Sequence, residues 1–150
     1  MDRPLVVYDD ENRELLEEAG EIAAGVDAEL IILSLMTADE FREAREALDV
    51  VAQEEHTAYD DSVVIDAAKK QAREAARELF DDEVDYRIVG ARIGDSESEA
   101  DRILEVADDN SVDHVFITGQ KRSPTGKAVF GDRVQSIILN FDGPVTSLLA

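Results

Sequence analysis

Apolar residues follow two alternating patterns along the chain. Short, mainly apolar runs predict five β-strands, at residues 5–8, 30–33, 84–89, 115–118 and 145–149. Between them, apolar residues at helical spacing predict amphipathic helices at residues 12–24, 39–54, 62–80 and 128–140, with a further helix that opens at 94–96. Strands that alternate with helices form parallel sheets covered on both faces. With no internal repeat and no linker, we predict one α/β domain over residues 1–150.

Individual residues predict further details of the first and the last helix. Asp9 and Asp10 follow the first strand and offer carboxylates that would cap the first helix, and Gly25 is expected to end it. The apolar residues of the last helix are Val129, Val134, Ile137, Ile138 and Leu139.

Composition adds a strongly acidic surface to this picture. The chain has 36 acidic and 15 basic residues, a net charge of −21, and acids in every segment rather than in one tail. We interpret this as the surface of a protein that works in high salt, where repulsion is screened; an ordinary acidic protein is the alternative. Either way, the charge argues against binding to a DNA or RNA backbone.

The sequence contains few indications of the cellular compartment. There is no cysteine, so disulfides and thiol chemistry are excluded. The N-terminal residues do not resemble a signal peptide, and no apolar stretch approaches the length that spans a bilayer. We therefore expect a cytoplasmic protein that binds no membrane.

The segment 119–133 is an island of positive charge in this acidic chain. It contains three glycines, two hydroxyl residues and a single acid, Asp132, and its basic residues are Lys121, Arg122, Lys127 and Arg133. A glycine-rich basic loop between a strand and a helix is a common phosphate site, because backbone N–H groups converge there on an anion. The hydroxyls of Ser123 and Thr125 are expected to contact phosphate rather than act as nucleophiles.

This segment does not match the P-loop of common ATPases. That motif needs four residues between its first glycine and Gly-Lys-Ser/Thr. Here six residues separate Gly119 from Gly126-Lys127, and Ala128 follows in place of the hydroxyl that binds magnesium. We reject a P-loop hydrolase.

Other candidate groups lie at the ends of predicted strands. Asp9 and Leu35 each follow a strand, as does the 119–133 loop. Ligands of parallel α/β sheets bind beyond the carboxyl ends of the strands, so these residues are expected to share one cleft. His56 and His114 have no second histidine or cysteine at ligand spacing, which predicts structural or surface roles and no metal site.

Five fragments, in order, resemble the universal stress protein family. Residues 5–11 resemble its first strand and Val-Asp-Gly-Ser turn, 28–35 its second strand, 89–95 its third-strand exit, 113–119 its Ala-Asp-x-Ile-Val-x-Gly strand and 143–146 its terminal Cys-Pro-Val strand. The resemblance implies a five-stranded parallel sheet in the order 3-2-1-4-5, the adenine-nucleotide α-hydrolase-like arrangement. It also implies homodimers through the last strand, 145–149, and, in one branch, ATP or AMP binding.

That branch binds nucleotide with Gly-x2-Gly-x9-Gly-Ser/Thr, which this chain matches only in part. Gly119 falls on the first glycine and Arg122 on the second, while Gly131 falls on the third with spacing one residue short. Asp132 replaces the hydroxyl residue and would cap the last helix, but it would also repel a phosphate by about 4 kcal/mol at 4 Å before screening. The resemblance further implies ribose contact at Asp9 and adenine contact at the backbone near Leu35.

Three hypotheses follow. The first is a homodimeric regulator that binds ATP or AMP, with magnesium where a polyphosphate needs it; any hydrolysis is expected to be slow and incidental, because we identify no catalytic base or metal cage. The second is a nucleotide-free dimeric stress or interaction protein. The third is a catalytic member of the wider superfamily, which would need further acids placed for metal.

Overall fold

The chain forms a layered α/β structure, described in a computed structural model for residues 1–56, 59–119 and 131–149. The strands are β1 (Pro4–Val7), β2 (Leu30–Met36), β3 (Tyr86–Arg92), β4 (His114–Gly119) and β5 (Val145–Leu149). The helices are α1 (Arg13–Gly25), α2 (Ala38–Glu55), α3 (Asp61–Leu79), α4 (Glu99–Asp109) and α5 (Asp132–Asn140). Among the described residues, no helix is long and apolar enough to cross a bilayer.

The five strands form one parallel sheet in the order β3-β2-β1-β4-β5, as predicted. From β1 the chain moves outward through β2 and β3, and it then returns to the other side of β1 with β4. Both β1 and β4 are mainly apolar, because the sheet is covered on both faces. The connections that leave β1 and β4 therefore diverge at the position where ligand clefts form in such sheets.

Two hydrophobic layers hold the helices on the sheet. On one face, apolar residues of α1 and α3 pack against Val6, Ile32 and Phe116. On the other face, residues of α4 and α5 pack against Leu5, Leu33 and other strand residues whose side chains point away from the first layer. Successive side chains of a strand point to opposite faces, so each central strand contributes to both layers.

Local details of the helices agree with the predictions only in part. The helix α1 ends at Gly25, as expected, and Asp27 after it adopts the left-handed conformation, at φ 55°. Ile138 and Leu139 are 49% and 75% exposed, because α5 packs on the sheet through Val134 and Ile137 instead.

The start of α4 also differs from the prediction. Gly94 belongs to a turn that precedes the helix, in which its N–H donates to the Glu97 carboxylate at 3.1 Å. The helix begins after Ser98, whose hydroxyl accepts from the N–H of Asp101 at 3.1 Å. A serine N-cap satisfies one of the free N–H groups of a first turn, which the glycine could not do with a side chain.

Candidate functional site

A cavity of about 620 Å³ lies at the carboxyl ends of β1 and β2. It brings together two of the predicted site residues from strand ends, Asp9 and Leu35, with Arg133 from α5. The remaining lining residues come from the turn after β1, the end of β2 and the helices α2 and α3: Tyr8, Asp10, Glu11, Ser34, Met36, Glu40, Ala67, Ala68, Lys70 and Gln71. We call this cavity the β1–β2 cleft.

A larger cavity, of about 690 Å³, opens at the opposite end of the sheet. Its lining includes Asp27, Phe80, Asp82 and Tyr86, and it lies beside the loops that lead into β2 and β3. Ligands of parallel α/β sheets bind at the carboxyl ends of strands, so volume alone does not make this cavity the candidate site.

The carboxylate of Asp9 is fixed by its own turn. Its Oδ1 accepts from the N–H of Glu11 at 3.1 Å, and its Oδ2 accepts from the side-chain amide of Asn12 at 2.8 Å. The expected cap on α1 is absent, because the N-cap position is Asn12 and its side chain makes no capping bond. A carboxylate can accept about four hydrogen bonds, so Asp9 is held in place while keeping acceptor capacity for a ligand.

Asp10 has a different partner. It accepts from the hydroxyl of Tyr8 at 2.9 Å, and burial, followed by this bond, raises the pKa of Tyr8. The Tyr8 hydroxyl therefore stays protonated and continues to donate at neutral pH. Asp10 does not cap α1 either.

The backbone of Leu35 lies just past the point where β1 leaves the sheet. Pairing between the two strands ends at Val7 and Leu33, and the last bond on that side runs from the N–H of Tyr8 to the carbonyl of Leu33, at 2.8 Å. In a parallel strand, the N–H and C=O of alternate residues point to the same side. The N–H and C=O of Leu35 therefore face the side that β1 has vacated, beside the β1–β2 cleft that Leu35 lines.

Arg133 joins three elements at the other wall. Its guanidinium donates to the Glu99 carboxylate of α4 at 2.5 Å and to the carbonyl of Thr118 in β4 at 2.7 Å. Its side chain is only 29% exposed. Its charge is thus already balanced by Glu99, so its first role is to hold α5 against β4 and α4.

Three of the predicted site residues lie at the end of β4 and the start of α5. Gly119 is the last residue of β4, opposite Leu149 of β5. Gly131 precedes α5 with φ 87°, a conformation that favours glycine. Asp132 is the first residue of the helix and follows the N-cap residue, Gly131, so Asp132 does not occupy the capping position that was expected. Asp132 lines a separate cavity of about 410 Å³ with Arg133 and Ser136.

The remaining predicted phosphate contacts lie outside the described residues. These are Lys121, Arg122, Ser123, Thr125, Gly126 and Lys127. Within the described ranges, four acidic and two basic side chains line the cleft. The acids are Asp9, Asp10, Glu11 and Glu40, and the cations are Lys70 and Arg133.

The sequence prediction missed the wall formed by α3. Ser34 is buried in β2, and its hydroxyl donates to the carbonyl of Ala68 at 2.9 Å, which ties α3 to the end of β2. This contact brings Lys70 and Gln71 to the cleft. A serine inside an apolar strand and a lysine in an acidic chain were the available signals.

The two histidines lie in different parts of the fold. His56 ends α2 in the left-handed conformation, at φ 54°. His114 stacks on Phe116 and shares a 2.8 Å hydrogen bond with Thr146, and burial lowers its pKa. In the described ranges, no group of three or more histidine or acidic side chains is arranged to hold a metal ion.

The sheet order and the cleft beside β1 define the adenine-nucleotide α-hydrolase-like class of α/β protein. A sequence model of the family described as "Universal stress protein family" matches residues 1–147. The chain therefore belongs to the universal stress protein family.

Solved structures of this family share the fold at low sequence identity. A universal stress protein from Archaeoglobus fulgidus is 19% identical, with a TM-score of 0.60 over 98% of each chain. UspA from Lactobacillus plantarum is 16% identical, with a TM-score of 0.65 over 98% of this chain and 97% of that one. A universal stress protein from Archaeoglobus fulgidus in complex with dAMP is 14% identical, with a TM-score of 0.54 over 98% and 97%. No curated protein sequence matches significantly.

Proposed function

We propose that the β1–β2 cleft binds an adenine nucleotide, AMP or ATP, and that binding regulates the protein. The observation that carries this proposal is the convergence of Asp9 and the unpaired side of Leu35 on one cavity of about 620 Å³. Cavities of roughly 300–1,000 Å³ are the usual size for small-molecule and cofactor sites.

The backbone of Leu35 and the carboxylate of Asp9 have the chemistry to bind the two halves of adenosine, the adenine and the ribose. Adenine presents an acceptor ring nitrogen beside a donor amino group. The N–H and C=O of Leu35 offer the complementary donor and acceptor on one side of β2. Asp9 would accept from a ribose hydroxyl, and a charged acceptor makes a stronger hydrogen bond than a neutral one.

The phosphates would extend from the ribose towards the 119–133 segment. Lys121, Arg122 and Lys127 supply positive charge there, and Ser123 and Thr125 supply hydroxyls, with the backbone of Gly119, Gly126 and Gly131. Magnesium would accompany a triphosphate. Any hydrolysis would be slow and incidental. Binding of the nucleotide itself, rather than a reaction, would regulate the protein. The dAMP complex of the Archaeoglobus fulgidus protein supports this ligand class.

The charge of the described cleft favours a second candidate function. Four acids face the cleft, and Glu99 already balances Arg133. A nucleotide-free interaction protein would have such a cleft, with its basic segment paired to acids of its own surface or of a partner.

Titration calorimetry distinguishes the two functions. In high salt with magnesium, we expect measurable binding of AMP or ATP to the unaltered protein. Asp132→Ser should bind more tightly, because it removes a negative charge at the start of α5, the helix that follows the phosphate segment. Absence of binding in both proteins would reject the nucleotide proposal and favour the interaction protein.

The proposed assembly is a homodimer through β5. This strand pairs with β4 on one side, and no strand of the described residues pairs with its other edge, which could therefore pair with a second copy. The exposed side chains of Ile138 and Leu139 on the adjacent α5 would be covered with it.

Removal of β5 tests this assembly. We expect the full chain to sediment as a dimer and a chain truncated after Gly143 to sediment as a monomer or to aggregate, because the pairing edge is lost. Sedimentation velocity at matched concentration and salt makes the measurement, with Leu139→Glu as a full-length variant that keeps the strand but charges the surface beside it. A truncated chain that stays dimeric contradicts the proposal.

The proposed setting is a salt-rich cytoplasm. At high ionic strength the Debye length falls to about 3 Å at 1 M, so repulsion among the 36 acids would be largely screened. The binding experiments are therefore carried out at high salt concentration.

A further inference from the structure

Tyr8 is the one aromatic side chain among the described residues that line the β1–β2 cleft. It lies between the end of β1 and Asp9, and its N–H donates to the carbonyl of Leu33 at 2.8 Å. The backbone of Tyr8 therefore makes the last hydrogen bond between the two chain segments. The unpaired N–H and C=O of Leu35 lie directly beyond it.

The side chain of Tyr8 lies on the face of the sheet that α1 and α3 cover. Val6 packs in this layer, and Tyr8, two residues further on, packs against the same layer. Ser34 points to this face too, because its hydroxyl donates to the carbonyl of Ala68 in α3. On this side, the cleft is thus lined by Tyr8 and by Ala67 and Ala68 of α3.

The ring of Tyr8 reaches past the end of its strand. Its hydroxyl donates to the carboxylate of Asp10 at 2.9 Å, and Asp10 belongs to the turn after β1. The side chain is half-buried, so the apolar layer supports the ring while part of its surface stays open to the cleft. A group held at Leu35 occupies the space that β1 has vacated, and the ring of Tyr8 lies beside that space.

Stacking on an aromatic ring is a common way in which proteins hold a nucleobase, because every base presents a π-face. The hydrogen bonds proposed at Leu35 hold the edge of the adenine, and they leave both of its faces without a partner. Adenine is uncharged, so the acids of the cleft do not repel it. Stacking also keeps its strength at high salt concentration, where contacts between charged groups are screened.

We propose that the ring of Tyr8 stacks on the adenine of the bound nucleotide. This inference rests on the proposed nucleotide function, and it adds a contact to the face of the base to the contact at its edge. Much of the affinity then comes from the base rather than from the phosphates, which suits a cleft lined by more acids than cations.

The chain offers a matched control in Tyr86. This residue packs against the same layer, but it lines the cavity at the opposite end of the sheet. Tyr8→Leu and Tyr86→Leu remove the same ring from the same layer, so a difference between them reports position rather than the loss of an aromatic side chain. Tyr8→Phe keeps the ring and removes only the hydrogen bond to Asp10.

Calorimetric titration of AMP into the four proteins at high salt concentration tests the inference. We expect Tyr8→Leu to weaken AMP binding by about tenfold, a loss of ~1.4 kcal/mol. Tyr8→Phe and Tyr86→Leu should bind AMP within about twofold of the unaltered protein. Thermal unfolding verifies that the variants are folded.

Tyrosine fluorescence gives a second measurement that reports stacking itself. The chain has three tyrosines and no tryptophan, so tryptophan emission does not mask the tyrosine signal. AMP should quench this fluorescence in the unaltered protein and in Tyr86→Leu. It should not quench it in Tyr8→Phe, which binds AMP but lacks the phenol in contact with the base.

Three results would overturn the inference, and they differ from failure of the proposed function. Equal AMP affinity in Tyr8→Leu and the unaltered protein rejects stacking at Tyr8. Equal losses in Tyr8→Leu and Tyr86→Leu show a general effect on the apolar layer and reject a specific contact. A loss in Tyr8→Phe as large as that in Tyr8→Leu assigns the effect to the hydroxyl and rejects stacking. If the unaltered protein binds no AMP, the nucleotide function itself is rejected, and the role of Tyr8 with it.

Discussion

Asp9→Ala is expected to weaken AMP binding by about 10- to 100-fold, because the ribose would lose a charged hydrogen-bond acceptor worth about 1.5–3 kcal/mol. The carboxylate is held before the ligand arrives, by the N–H of Glu11 and the amide of Asn12. A preorganised group loses little conformational freedom when the ligand binds, so most of its hydrogen-bond energy contributes to affinity.

The neighbouring acid is the matched control. Asp10→Ala removes the same charge from the same turn, but its carboxylate is engaged by the hydroxyl of Tyr8. Loss of a negative charge alone would favour a phosphate, so Asp10→Ala should bind AMP as well as the unaltered protein or slightly better. Calorimetry on both variants measures the effect. Equal losses in the two variants would show that Asp9 makes no specific contact.

Gly20→Ala is expected to lower the free energy of unfolding by about 2 kcal/mol. A Cβ at this position would clash with two ring carbons of Phe80. Phe80 is 8% exposed and packs in the layer that holds α1 and α3 on the sheet, so its ring has little room to move. Overpacking of this kind costs about 1–3 kcal/mol, which exceeds the gain of roughly 0.5–1 kcal/mol from alanine in a helix.

The same helix provides the control for this prediction. Gly25 is the last residue of α1, and a Cβ added there would have no neighbouring atom within 4 Å, so Gly25→Ala should be neutral or stabilising by about 0.5 kcal/mol. Chemical denaturation at fixed salt measures both variants. The double variant Gly20→Ala with Phe80→Leu should recover part of the loss, because the two side chains share one space. A Gly20→Ala protein as stable as Gly25→Ala would contradict the close packing of α1 on Phe80.

The sheet could be predicted because its signals are local and repeated. The last strand, Val145–Leu149, has the ends expected from the turn before it. The order of the strands came from the family resemblance, and the structure confirms it. Spacing alone does not define the buried face of α5, because adjacent apolar residues such as Ile137 and Ile138 both fit an apolar helical stripe. Packing on the sheet buries Ile137 and leaves Ile138 exposed.

The wall of the cleft depends on contacts that no local pattern contains. Glu99 and Arg133 are 34 residues apart, and Ser34 and Ala68 are also 34 residues apart. The first contact compensates the charge of Arg133, and the second brings Lys70 to the cleft. Residue types in the sequence indicated a basic phosphate segment, but only the fold shows which cation of the described cleft is already paired.

A crystal structure of the protein grown with saturating AMP is the most direct test of nucleotide binding in the β1–β2 cleft. We expect the adenine to hydrogen-bond with the N–H and C=O of Leu35, at about 2.7–3.2 Å, and a ribose hydroxyl to donate to Asp9. AMP bound elsewhere on the protein, with the cleft beside β1 and β2 lacking nucleotide, would contradict the proposed function.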